Sequence, residues 1–127
     1  MNEPVFLHLE QVMELHGDGI KLFGGTHGLR DAASLEGAVT HPQNVYFYGS
    51  GDLFDIAAAY AFHIAEAQAF LDGNKRVAAA AALVFLQGNG VNVAFDSMPW
   101  LHEAMIAIAS RRMDKPGLAA LLRKLAA

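Results

Sequence analysis

The sequence predicts an all-α fold: a single compact domain over residues 1–127, built around one buried central helix. Three observations predict it. Val77 to Leu86 is a run of ten apolar residues that includes five consecutive alanines, and alanine favours helix over strand. A helix apolar on every side must be buried, and this run is too short for a bilayer, which takes roughly 20 residues. Apolar residues recur at helical spacing in several other segments. Finally, a length of 127 residues with 54% hydrophobic content suits one well-filled core.

The elements follow in order. Residues 5–16 read as a first helix, with Pro4 in its first turn and Phe6, Leu9, Val12 or Met13 and His16 at helical spacing. His8 and His16 are too far apart for a typical metal pair and read as surface or packing residues. Gly17, Gly19, Gly24, Gly25 and Gly28 punctuate an ordered loop with a short turn at Ile20 to Phe23. It is no phosphate loop, because no Gly-Lys-Ser/Thr follows it. A second helix should start near Asp31, which can cap it, and end before Pro42, burying Leu35, Ala38 and Val39.

Val45-Tyr46-Phe47-Tyr48 is short, aromatic and bounded by turn residues, so it reads as a strand or hairpin arm. An exposed strand edge there could capture an extended peptide, or the aromatics could form a lid over the core. Asp52 to about Ala67 reads as the third helix, with Leu53, Ile56, Ala57, Tyr60 and Ile64 along one stripe. Gln68 at its end should face the start of the central helix. His63, offset from Gln68 by about 140° on a helical wheel, should point elsewhere. Gly88-Asn89-Gly90 stops the central helix. Val91, Val93 and Phe95 alternate as a short strand would. Pro99 to Arg111 reads as a further helix with Leu101, Met105, Ile108 and Ala109 inward. Leu118 to Leu125 reads as the last helix, introduced by Asp114-Lys115-Pro116 and ending on Arg123 and Lys124.

The chemistry concentrates where Phe70-Leu71-Asp72-Gly73-Asn74-Lys75-Arg76 opens into the apolar run. A helix N-terminus offers free N–H groups and a partial positive charge, both suited to phosphate. Asp72 stands where a carboxylate could hold a metal beside that phosphate, and Gly73 allows a tight turn. The same residues have a plainer reading: Asp-Gly as a turn, Asn74 as an N-cap, and Lys75 and Arg76 as solvated surface.

Composition excludes some classes. Nine basic against thirteen acidic residues give a formal charge of −4, which argues against direct nucleic-acid binding. Without cysteine there is neither a disulfide nor a thiolate metal site. Met1-Asn2-Glu3-Pro4 lacks the basic and apolar regions of a signal peptide, so the expected location is cytoplasmic, with no membrane association.

Phe70 to Arg76 resembles the Fic/Doc family signature, His-x-Phe-x-Asp-Gly-Asn-x-Arg. Gln87-Gly88-Asn89-Gly90 and the upstream stretch Gly28-Leu29-Arg30-Asp31, Leu35-Glu36 and His41-Pro42-Gln43 resemble its death-on-curing (Doc) branch. The likeness covers about residues 20 to 95 and departs at one point: the family's His position is Gln68. The resemblance implies a Fic-type helical domain with a small β-hairpin flap, Val45, Tyr46 and Phe47, that docks a target segment. It implies transfer of phosphate or AMP from ATP to a hydroxyl of a host protein such as a translation factor. Asp72 would hold magnesium; Gly73, Asn74, Lys75 and Arg76 would receive phosphate oxygens. Lys75 matches the Gly-Asn-Lys-Arg form of the Doc branch, which points to phosphate rather than AMP.

The family's His takes the target's proton, and a Gln amide cannot do so near neutral pH. An engineered substitution, a natural nucleotide- or protein-binding pseudoenzyme, and a chemistry that needs no such base all fit Gln68. Some Fic proteins carry an inhibitory Ser/Thr-x-x-x-Glu-Gly/Asn helix, a pattern absent from residues 1–127. The resemblance therefore implies a separate small antitoxin with a segment that folds on binding.

Overall fold

A computed structural model describes residues 3–49 and 51–126. Among them six α-helices follow one another: α1 (Leu9–Phe23), α2 (Ala32–Phe47), α3 (Leu53–Ala67), α4 (Asn74–Gly88), α5 (Met98–Ala109) and α6 (Lys115–Ala126). A 3₁₀ turn, Phe95–Ser97, leads into α5. The all-α expectation holds, and the β structure among the described residues is a single antiparallel bridge between Leu29 and Phe70. No described helix is long and apolar enough to cross a membrane.

The alanine-rich run forms α4, and its burial is nearly complete. Val77, Ala78, Ala79, Ala81, Ala82, Leu83, Phe85 and Leu86 are all shielded from solvent. Small side chains let neighbouring helices come close, and α4 packs against α3, α1 and α5 while α3 also packs against α2 and α6. The largest buried side chain is Tyr60 on α3, whose ring lies 5.1 Å from Phe85 on α4. Its hydroxyl accepts the Leu7 N–H at 2.9 Å, fixing the segment before α1. Asn89, just past α4, holds the same segment through Val5 N–H at 2.7 Å and Val5 C=O at 3.0 Å.

Helix ends are set by short polar side chains. Asp31 accepts the Ser34 N–H at 3.1 Å, as its predicted capping role requires. Asp52 and Asp55 cap α3 reciprocally, each carboxylate accepting the other's N–H at 2.9 Å. Arg123 on α6 reaches both carboxylates at 3.0 Å. These ion pairs are solvent-exposed, so each contributes at most about 1 kcal/mol.

Several expectations are corrected. The helix α1 begins later and runs through Phe23, so Gly17 and Gly19 are helical rather than part of a loop. Their low helix propensity is outweighed because α1 packs directly on α4, where a Cβ on Gly19 would already lie 3.4 Å from Arg76 Cδ. Helix α2 passes through Pro42 and ends at Phe47. Proline in a helix interior costs about 3 kcal/mol. Here Pro42 is itself buried on the stripe of Leu35, Ala38 and Val39. Val45 and Tyr46 continue that stripe and pack on the core.

The expected hairpin flap at Val45, Tyr46 and Phe47 is therefore the last turn of α2. A helical turn has no free strand edge, so this segment offers no strand addition. It acts instead as an aromatic lid, with Phe6 6.0 Å from Tyr46 and 5.9 Å from Phe47. The expected strand at Val91–Phe95 is irregular chain into the 3₁₀ turn: among the described residues no strand lies beside it, and Val93 is buried while Val91 packs against the core.

Candidate functional site

The loop between α3 and α4 is held from three sides. Arg30 donates its N–H to the Ala69 carbonyl, and its guanidinium donates to the Gln68 carbonyl. Leu71 N–H donates to Gly28 C=O at 3.0 Å. From below, His16 of α1 is only 3% exposed. Its ring stacks on Phe70 at 3.7 Å between centroids, with planes 8° apart. Its Nε2 lies 2.7 Å from the Asp72 carbonyl. A carbonyl can only accept, so Nε2 carries the proton. His16 is thus a packing residue, as expected, and one that fastens the loop.

Gly73 is the N-cap of α4 and takes a left-handed φ of +77°, a conformation that favours glycine. The Asn74 side chain does not cap the helix. It turns back on the loop, where Oδ1 accepts the Phe70 N–H and Nδ2 donates to the Phe70 carbonyl, both at 3.0 Å. This corrects the plainer reading of Asn74 as an N-cap. The first turn of α4 has no side-chain cap at all, which leaves its N–H groups without that partner, and its residues line a cleft.

That cleft has a volume of about 520 Å³ and is lined by Gln68 and the whole Leu71–Arg76 segment. The structure thus brings Gln68, Asp72, Gly73, Asn74, Lys75 and Arg76 together. Val45, Tyr46 and Phe47 lie outside its lining. His63 also lies away, against His41 and Lys115. Asp72 is exposed, and its oxygens accept the Gly73 N–H at 2.9 Å and the Thr26 N–H at 3.2 Å. Those bonds hold the carboxylate in place and leave it lone pairs of the kind a hard cation takes. Arg76 lies with its guanidinium 4.9 Å over the Phe23 ring and donates to the Gly24 carbonyl at 3.5 Å.

Sequence reasoning missed the wall opposite α4. His102, Ile108, Ala109 and Arg111 of α5 and its C-terminal cap line the same cleft. The spacing of α5 advertises only its inward stripe; the pair Arg111-Arg112 just past its end was the available signal. With Lys75 and Arg76 these residues make the cleft basic against Glu66 and Asp72, although the whole chain carries −4.

A buried helix whose first turn lacks a side-chain cap and lines a basic cleft, with a carboxylate at its edge, makes this an all-helical domain with its cleft at the head of the central helix. More particularly, the chain belongs to the Fic/DOC family, whose pattern matches residues 6–86. It is 35% identical over 117 residues to the protein kinase Doc of Escherichia phage P1, covering 91% of each chain. It is 41% identical over 108 residues to the toxin Doc of Mycolicibacterium smegmatis, covering 83% of each.

Proposed function

We propose that this protein is a Doc-type toxin that transfers phosphate from ATP to a hydroxyl of a host protein. The single observation that carries the reading is the uncapped start of α4, with Asp72 and Arg76 in the same cleft. Phosphoryl transfer asks chiefly for positioning and charge neutralisation. The α4 N–H groups and Arg76 would receive phosphate oxygens. Asp72 would hold a magnesium ion, which supplies further neutralisation of phosphate charge. In the transfer, the bond from the γ-phosphorus to the ADP oxygen breaks and one to the target hydroxyl oxygen forms. A translation factor fits the growth-arresting role, and AMP transfer uses the same groups with the α-phosphate in place of the γ-phosphate.

The hydroxyl proton needs an acceptor, and Gln68 lines the cleft where the family signature has His. An amide supplies no such base, so the chain as it stands turns over slowly, by about 10²- to 10⁴-fold on the usual worth of a general base. Gln68 is also the observation that favours a second reading, a non-catalytic nucleotide- and protein-binding module on the same fold.

Regulation would come from a small antitoxin. An apolar groove beside the cleft, lined by Leu15, Leu22, Phe23, Ala80, Val84 and Met98, also includes Arg76. It suits the apolar face of an amphipathic segment that folds as it binds.

Calorimetry with ATP and magnesium, on the protein and on Arg76→Ala, tests the site; equal binding by both removes the phosphate role. Gln68→His, expressed in bacteria and assayed in lysate with γ- or α-labelled ATP, tests the reaction. Growth arrest and γ-label on a host protein support phosphate transfer, whereas α-label means AMP transfer. A silent His variant that still binds nucleotide leaves the binding module as the function.

A further inference from the structure

Among the described residues, two that are not glycine have a positive φ: Gln68 at 45° and Arg111 at 61°. Both line the cleft. Arg111 follows the last turn of α5 in a closed C-cap. The Arg112 N–H donates to the Ala107 carbonyl at 2.7 Å, and the Arg111 N–H donates to the Ile108 carbonyl at 3.0 Å. That pair of bonds places one residue in the left-handed region, a position glycine usually fills. This chain uses glycine at Gly24, Gly25, Gly28, Gly73 and Gly90, where φ is also positive. At the α5 cap it places arginine and accepts the strain.

The arginine side chain is also without a partner. Among the described residues the other four arginines each have one. Arg30 donates to the Gln68 carbonyl, Arg76 to the Gly24 carbonyl, Arg112 to Ser110 Oγ, and Arg123 to Asp52 and Asp55. Arg111 alone makes neither a side-chain hydrogen bond nor an ion pair there, although Glu66 lines the same cleft. A cation near a helix C-terminus can serve the helix dipole. Arg112, one residue on, already offers that charge, and the dipole gives no reason to prefer arginine to glycine at the strained position.

We propose that Arg111 is a second anion-binding residue of this cleft. It holds one phosphate of an extended polyphosphate ligand while another lies at the start of α4. The inference rests on the nucleotide-binding reading and deepens it: the cleft selects nucleoside triphosphates over monophosphates. A guanidinium fork on a phosphate is bidentate and directional, so it suits a group at a fixed distance from the first.

The test is calorimetry with ATP and with AMP, each with magnesium, on the protein and on Arg111→Gly, Arg111→Lys and Arg76→Ala. Arg111→Gly should weaken ATP by roughly 10-fold or more, the worth of one charge-assisted contact, and leave AMP unchanged. Its melting temperature should not fall, because glycine relieves the left-handed strain. Arg111→Lys should recover part of the ATP affinity. ATP binding by Arg111→Gly equal to the parent's, an equal loss of ATP and AMP, or a clear drop in melting temperature each overturns the inference. If Arg76→Ala loses nucleotide while Arg111→Gly keeps it, the nucleotide site stands and Arg111 has no part in it. If the unsubstituted protein binds neither nucleotide, both readings fall together.

Discussion

His63 should make the fold sensitive to mild acid, and replacing it should remove that sensitivity. The imidazole is half-buried on α3, with Lys115 Nζ of α6 3.1 Å from Nε2 and the His41 ring of α2 4.0 Å away. A lysine ammonium only donates, so Nε2 accepts and the ring is neutral. Burial first, then the positive charges of His41 and Lys115, pull its pKa down from 6.5 to about 4. The unfolded chain takes up a proton near 6.5 and the folded chain does not until near 4. The stability from the neutral ring is therefore complete above 6.5 and lost as pH falls from there towards 4. At 1.36 kcal/mol per unit, the full shift would be worth about 3 kcal/mol. The ring is only partly buried, and between about pH 7.5 and about pH 5 only part of the shift is sampled, which leaves about 1 kcal/mol. Urea unfolding of the parent and of His63→Gln at those two pH values isolates the term, since other titrating groups cancel in the difference. Equal pH dependence in the two proteins would refute the assigned contact between α3 and α6.

Two further outcomes follow from single contacts. Tyr60→Phe leaves the buried Leu7 N–H without its 2.9 Å partner and should cost about 1–3 kcal/mol in denaturant unfolding. Burial also pushes the Tyr60 phenol from 10.0 up to about 12. Stability should therefore decline as pH rises between those values in the parent and stay flatter in Tyr60→Phe. Gly25→Ala would place a Cβ 2.7 Å from Asp72 Oδ2, at a φ of +116°. It should displace that carboxylate from the Thr26 N–H and weaken magnesium-dependent ATP binding; titration of ATP with and without magnesium checks this, and an unchanged magnesium dependence would count against Asp72 as the metal ligand.

The central helix, the span of α3 and the loop that leads from Phe70 into α4 were legible because local chemistry and tertiary structure agree there. Asp31 caps where it should, and the alanine run is buried as its composition demands. The misreadings fall where tertiary burial overrode a local signal. Pro42 looked like a stop, yet its own ring fills the buried stripe of α2. Gly17 and Gly19 looked like loop, yet both lie within α1, which packs on α4. Gln68 was placed correctly because it directly follows a clear helix. Arg111 joins the site from α5, across the cleft, and no spacing within one helix reports which groups another helix will face.

The alanines of α4 reverse an ordinary intuition about which residues a protein can spare. Ala78, Ala81 and Ala82 have no accessible surface, so even one added methylene would have to push a neighbouring helix aside, and overfilling a closed core commonly costs about 1–3 kcal/mol. In a survey of all substitutions, these smallest side chains should rank among the least replaceable, ahead of many larger exposed ones. The N–H groups without a side-chain cap stand at the head of this same helix. Their aim is fixed by side chains that do no chemistry, and one added methylene one or two turns below would blunt the site without touching it.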